Sequence, residues 1–368
     1  MPTPPILVTT AGGHTGFPAA LQLLDRGLPV RALVHRDGVR AAELRRAGAE
    51  VMIGSLDDAS DVARALVGVE RAYFAPPFAP GALRVSSIFA EAADASQLKV
   101  IVALSLWIAH QDHPSVHARE DWLAVRRFES LPNTGVVTVN PGWFADNYMA
   151  GLAMAAQLGL FAMPLGQGRN APPSNEDIAR VIVGALTQPE PLIGSTLRPT
   201  GPELLAPAEI AATFGRVTGH RVRYVDAPPA LFSKVMRSFG FPDYVTTSVL
   251  TFLEDYRRDA FAVGAPTDVV RRIGGRAPED FETIVRRYAA ASRDGRRSPA
   301  GLARMAGTLA RVMATRSPNA DAVGRASGVG NREHATLAVD SAAWRAAHLG
   351  TRGAAEDAPV GLGLAGAW

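Results

Sequence analysis

The segment Ile6-Leu-Val-Thr-Thr-Ala-Gly-Gly-His-Thr-Gly16 constrains this chain more than any other, because an apolar strand runs there into a glycine-rich turn that opens directly into a helix. The helix reads as Phe17–Arg26: Leu21 and Leu24 share a stripe, Pro18 sits in the permitted first turn, and Gly27 stands where a C-cap needs positive φ. Short β-branched runs then recur between helix-like stretches. The strand candidates are Ile6–Thr9, Val30–Val34, Val51–Gly54, Arg71–Phe74, Val100–Leu104 and Val136–Asn140. Alternation at this spacing predicts βαβ units and an α/β fold with a doubly wound parallel sheet.

From about residue 150 the pattern turns mostly helical. Ser174 and Asp177 have capping-box spacing ahead of the stripe Ile178, Val181, Ile182, Ala185, and further helices are predicted after Ala206, Ala227 and Pro242, with one ending near Tyr288. Val222–Val225 reads as a short strand at a sheet edge, and Phe252, Tyr256 and Phe261 as packing of the smaller lobe. Beyond Ala291 the composition shifts to Ala, Gly, Arg and Ser, with Trp344 and Trp368 as its only aromatic residues. That stretch reads as a loosely attached linker carrying one short helix, Leu302, Met305, Leu309 and Met313, with Trp344 as a second anchor. The expected organisation is 1–150, 151–290 and a basic tail, 291–368.

Composition removes several classes of function. The 368 residues include no cysteine, so disulfides, thiolate metal sites, iron–sulfur clusters and cysteine nucleophiles are all absent, and a reducing cytoplasm suits the chain. No window approaches the ~18 uninterrupted apolar residues of a membrane span, and the first residues lack the basic and apolar regions of a signal peptide. The net charge is +3, but residues 291–368 hold ten arginines against six acids, which leaves the body at −1. Nucleic acid is therefore not expected as a partner, since the tail's arginines are diluted by acids and neutral stretches.

The chemistry of the turn follows from its context. A helix N-terminus offers free N–H groups and a positive dipole end to a pyrophosphate, and glycines let the phosphates approach. The pattern here is Thr10-x-x-Gly13-x-x-Gly16, with Thr10 in place of the first glycine and Gly12 available to take over some of its conformational freedom. About twenty residues on, where a ribose diol would call for Asp or Glu, stands Arg36 between His35 and Asp37. Arg36 favours a 2′-phosphate, hence NADP (NADPH) over NAD, with Arg40 as a second contact. A placement one residue on would put Asp37 there and reverse the inference.

With those residues in hand, the chain resembles the NmrA-like branch of the atypical short-chain dehydrogenase/reductases over roughly residues 5–290. The resemblance rests on Thr-Thr-Ala-Gly-Gly-His-Thr-Gly at 9–16, Arg-Ala-Leu-Val-His-Arg at 31–36, Gly-Ser-Leu-Asp-Asp at 54–58, Val-Asn-Pro-Gly-Trp-Phe-Ala-Asp-Asn at 139–147, Asn-Glu-Asp-Ile-Ala at 175–179 and Thr-Gly-Pro-Glu at 200–203. It implies a Rossmann domain, a smaller C-terminal lobe and a cleft between them. It further implies a cofactor site of Thr10, Gly12, Gly13, His14, Thr15, Gly16 and Arg36, with Phe74, Ala75 and Pro76 along the ribose, Leu104 and Ser105 on the nicotinamide side, and Asn140–Phe144, Asn140 and Pro141 foremost, on the cleft wall. Ser55 stands where the family usually has an acid near the adenine.

The wider superfamily reduces carbonyls with a Tyr-x-x-x-Lys pair. That pair is excluded: the only lysines are Lys99 and Lys234, and alanines stand four residues before each. Ser105 is the catalytic candidate, orienting a substrate oxygen, with capping of the next turn as the equally weighted alternative. His110, His113 and His117 read as a solvated loop and not a metal site, because Pro114 interrupts any single helix through them. Asn147 and Tyr148 either touch a substrate or pin the loop into the second lobe. The expected activity is hydride transfer from NADPH to a conjugated small molecule: a quinone, an azo bond, an iminium or a cationic dye. The alternative is a non-catalytic NADP(H)-sensing regulator.

Overall fold

The computed structural model describes residues 3–316 and 334–350; Arg325, Arg332, Arg352 and Trp368 of the tail reading lie outside them. Nine strands are present: β1 (Ile6–Val8), β2 (Val30–Val34), β3 (Glu50–Ile53), β4 (Arg71–Phe74), β5 (Val100–Leu104), β6 (Gly135–Val139), β7 (Leu160–Met163), β8 (Thr196–Leu197) and β9 (Arg223–Asp226). The helices of the first half are α1 (Gly16–Asp25), α2 (Val39–Arg46), α3 (Ala59–Leu66), α4 (Ala82–Ala95), α5 (Val116–Glu129), α6 (Asp146–Met149) and α7 (Leu152–Leu158). Those that follow are α8 (Asn175–Thr187), α9 (Pro207–Thr218), α10 (Pro229–Ser238), α11 (Asp243–Arg257), α12 (Val269–Gly274), α13 (Phe281–Ala291), α14 (Pro299–Ala314) and α15 (Ala342–Leu349).

Seven strands form one parallel sheet in the order β3-β2-β1-β4-β5-β6-β8. Successive side chains point to opposite faces. Ile6, Val8, Ala32, Val34, Val102, Val137 and Val139 enter the core shared with α1 and α8, while Leu7, Leu33, Ala72, Phe74, Ile101 and Ala103 meet α3, α4 and α5. Both faces are covered, so the strands read as continuous apolar runs. The chain order reverses between β1 and β4, which opens a crevice at the carboxyl ends of the strands, the place where such sheets bind ligands. All six strands read from the first half of the sequence are in this sheet. The strand read near residue 222 is not at its edge: β9 pairs with β7 in a separate two-stranded parallel ladder in the second lobe. No helix among the described residues is long and apolar enough to cross a membrane.

The turn from β1 into α1 is tight enough to fix its own sequence. Thr10 has φ +45, a left-handed conformation that costs a β-branched residue about 1–2 kcal/mol, and Gly12 takes no positive φ in its stead. The conformation is held from the side: the Ala75 N–H donates to Thr9 Oγ1 at 3.0 Å and the Thr10 hydroxyl donates to the Ala75 carbonyl at 3.3 Å. The Thr10 carbonyl accepts from Gly13 N–H at 2.7 Å. A Cβ at Gly16 would lie 2.5 Å from that same carbonyl oxygen.

The described part of the chain after Ala291 is not a linker. Gln157 is 1% exposed, and its amide donates to the carbonyls of Asp294 and Arg296 while its oxygen accepts from Ser298 N–H. Helix α14 follows, but it buries Met305 and Val312, leaving Leu309 and Met313 exposed on the other side of the expected stripe. Residues 334–350 then return to the body: Thr336 N–H donates to the Asp112 carbonyl, Ala338 N–H to Asp255 Oδ1, and the Trp344 indole to the Trp107 carbonyl at 2.8 Å. The partners of this stretch are more than eighty residues distant in sequence, and so a low apolar content concealed a well-packed tail.

Two outcomes follow. Gly16→Ala lowers the melting temperature by several degrees, since its Cβ meets backbone that cannot retreat without moving β1. Trp344→Ala, which empties a buried site, costs about 3–5 kcal/mol in chemical denaturation; a loss under 1 kcal/mol would mean the tail adds nothing to the core.

Candidate active site

The carboxyl ends of β1, β2, β4, β5, β6 and β8 bring the expected site residues to one edge of the sheet. At β1 the α1 N-cap, Thr15, makes no side-chain cap; its hydroxyl shares a 2.7 Å hydrogen bond with the Tyr73 hydroxyl instead. In the first turn of α1 Phe17 N–H is taken by the Gly13 carbonyl at 3.2 Å and Pro18 has none, so the Gly16 N–H is the one left for a ligand among the described residues. Burial pushes the Tyr73 hydroxyl upward, so Tyr73 stays protonated and serves as an anchor and not a base.

Cationic side chains surround this helix start. Arg40 donates to the carbonyls of Gly12 and Gly13 at 2.7 and 3.2 Å and stacks over Phe17, so its charge is fixed on the turn itself. His14 pairs with Asp146 at 3.0 Å, joining the turn to the start of α6. The hydrogen bond to Asp146 raises the His14 pKa above its ordinary value. Burial pushes the Asp146 carboxyl up, but the hydrogen bonds from His14 and Asn175 hold it below the usual range. At the end of β2, Arg36 is exposed and its side chain makes no hydrogen bond or ion pair with the described residues. Asp37 is engaged by Arg45 in a bidentate pair at 2.7 and 3.1 Å. The carboxylate that would have reversed the cofactor inference is thus occupied, and the arginine is not.

Further along the edge the residues divide by which part of them faces the crevice. The Phe74 ring packs against Phe89 and Phe128 in the core, so only its main chain is on offer to a ribose. Ala75 is committed through both backbone groups to Thr9 and Thr10, and Pro76 is half-buried behind it. Leu104 ends β5 half-buried, followed by Ser105, whose N–H is tied to the Val139 carbonyl while its hydroxyl has no partner among the described residues. Asn140 leaves β6 with its N–H on the Leu197 carbonyl and its buried Oδ1 unpartnered; Pro141, also buried, follows.

One sequence reading is corrected here, and one of two open alternatives is selected for Tyr148. His110, His113 and His117 are buried, not solvated: His113 Nε2 lies 2.7 Å from Asp255 Oδ2 while its Nδ1 accepts from Ser115 N–H, which makes Nε2 the donor. Burial pushes both His110 and His117 down to about 4, so they are neutral at physiological pH. Their surroundings come from α11 and the returning tail, which local sequence does not reveal. Tyr148 belongs to the second-lobe core, bonded to Tyr256 and Asn170, whereas Asn147 is exposed. Neither Asp121, whose carboxyl burial and the neighbouring Glu120 push well up, nor Arg198 carries a local sequence signal.

These residues fit a dinucleotide. Gly13 and Gly16 form a cradle that a Cβ would fill, the Gly16 N–H has no partner among the described residues, and the unpartnered Asn140 Oδ1 waits at the other end.

Known proteins share the arrangement. Residues 2–262 match the NmrA-like family. The chain is 29% identical over 294 residues to an NAD(P)H azoreductase of Xenophilus azovorans, covering 78% of this chain and 98% of that one. Its fold superposes on an NADPH-dependent quinone oxidoreductase of Escherichia coli, solved with NADPH, with a TM-score of 0.66 at 20% identity, over 76% of this chain and 98% of the other. It superposes equally on NmrA, a negative transcriptional regulator solved with NADP, with a TM-score of 0.64 at 17% identity over 78% and 95% of the two chains. By that match and this fold, the chain belongs to the NmrA-like family.

Proposed function

We propose that this protein is an NADPH-dependent reductase of conjugated acceptors of the quinone or azo type. The observation that carries the reading is the pairing of an anion-ready α1 start with an uncommitted Arg36 beside a committed Asp37. Likeness to the azoreductase and to the quinone oxidoreductase supports it. Gly13 and Gly16 admit the pyrophosphate, Arg40 and His14 place positive charge around it, and Arg36 receives the 2′-phosphate. NADPH supplies the hydride. Ser105 orients the acceptor by one hydrogen bond, and Leu104 and Pro141 keep water from the reacting face. With no Tyr-x-x-x-Lys pair in the sequence, solvent provides the proton that completes reduction to hydroquinone or hydrazo product.

A second reading, a redox-sensing regulator without turnover, is favoured by that missing pair and by the likeness to NmrA. Steady-state assays with saturating NADPH separate the two. Quinone or azo acceptors should be reduced and simple ketones hardly at all, with Ser105→Ala lowering kcat by about tenfold or less. Absence of turnover on every acceptor despite cofactor binding selects the regulator.

Cofactor choice is tested separately. Arg36→Ala should raise KM for NADPH on the order of 10- to 100-fold and leave that for NADH unchanged, as expected for loss of one charge-assisted phosphate contact. Equal effects on both would make Arg36 a bystander.

A further inference from the structure

Among the described residues, the buried charge of Arg198 has no counterpart. Arg198 leaves the end of β8 and is 7% exposed, yet its Nε and Nη1 have no hydrogen-bond partner and no salt bridge reaches it among the described residues. Leaving a guanidinium desolvated and unpaired costs several kcal/mol, a cost that a ligand anion would offset. Burial pushes Arg198 down only to about 10, so it is charged at neutral pH.

Its surroundings are aromatic and come from four parts of the chain. The neighbouring β6 exit contributes Asn140, joined to Leu197, and Trp143, whose buried indole N–H is unpartnered. Segment 260–267 touches every wall: Ala260 accepts from the Trp107 indole, Phe261 meets the Trp143 ring at 5.8 Å, and the Thr267 hydroxyl donates to the Arg198 carbonyl. Helix α15 closes the side with His348, whose ring lies 5.0 Å from Trp107, stacks on Trp344 at 4.0 Å and is within electrostatic reach of Arg198. Burial, and then Arg198, pushes His348 down to about 3, so that ring is neutral and Arg198 is the charge of this pocket.

Position excludes the cofactor phosphates as the partner. Arg198 stands four strand spacings from β1, about 19 Å across the sheet. A dinucleotide anchored at α1 places its nicotinamide between the two, leaving Arg198 on the acceptor side.

We infer that Arg198 is an anion subsite for the acceptor: it pairs with a carboxylate or sulfonate carried by a planar aromatic molecule. The guanidinium fork matches either anion in a bidentate manner, and the unpartnered Trp143 N–H supplies a further donor. For turnover the inference rests on the reductase reading; for binding it does not.

The test therefore uses both. In calorimetric titration, 2-naphthoate should bind the full-length protein at least tenfold more tightly than neutral 2-naphthamide. Arg198→Gln should abolish that preference without changing naphthamide binding, and Arg198→Lys, which keeps charge but not the fork, should retain part of it. In assays with NADPH, a carboxylated azo acceptor should exceed its carboxamide in kcat/KM by a similar factor, and a cationic dye should be the poorest. Equal affinities in the unaltered protein, or a preference that survives Arg198→Gln, overturns the subsite. If Arg198→Gln does not fold, undiminished preference in Arg198→Lys together with equal kcat/KM for the two acceptors overturns it as well. Arg198-dependent naphthoate binding with no turnover leaves the subsite and removes the reductase, whereas equal turnover with no naphthoate binding does the reverse.

Discussion

The carbonyl oxygen of Thr10 governs this molecule. It sits 2.5 Å from where a Cβ of residue 16 would be, so α1 can approach β1 only over glycine. That approach sets the depth of α1 on the sheet and leaves the Gly16 N–H without a partner among the described residues at the strand ends. The price is a threonine in a left-handed conformation, held by the paired bonds of Thr9 and Thr10 to Ala75 on the neighbouring strand. Because Ala75 lies where β4 hands the chain toward the crevice, the strain of one turn is tied to the geometry of the next. A threonine at the first position is therefore compatible with the fold, provided its hydroxyl has a carbonyl to bind.

From that anchor the crevice is organised as a gradient of chemistry. Its β1–β2 end is exposed and cationic, with Arg36, Arg40 and His14 around the helix start. Its middle is small and largely apolar, with Ala75, Leu104 and Ser105. Its β6–β8 end is buried and aromatic around a single charge, Arg198. A long cofactor with a pyrophosphate and a 2′-phosphate suits the first end. The lack of a lysine–tyrosine relay agrees with the proposed acceptors, which need no enzyme acid.

Much of the first half was legible because its partners are local or periodic. β-branched runs flanked by Gly27 and Gly48-type breaks mark buried parallel strands, and the turn motif marks the ligand edge. The Ser174 cap was equally readable, its hydroxyl accepting from Asp177 N–H, although the Asp177 carboxylate turns instead to Glu279 N–H. What escaped depends on contacts across the chain. The three histidines look solvated beside Pro114, but Asp255, Tyr244 and Thr336 enclose them. The tail looks too poor in apolar residues to pack, yet Gln157 and Trp107 give it polar anchors at particular carbonyls. Arg198 is invisible for the same reason: only the folded chain shows that nothing among the described residues answers its charge.

The claim beneath all of this is that the crevice holds NADPH with its pyrophosphate at α1 and its 2′-phosphate at Arg36. Calorimetric titration of the purified protein with NADPH, with and without 2′,5′-ADP as competitor, tests it most directly. The account expects one NADPH per chain, displaced by 2′,5′-ADP, because that fragment carries the 2′-phosphate and lacks the nicotinamide. Absence of NADPH binding, or binding indifferent to the competitor, contradicts it.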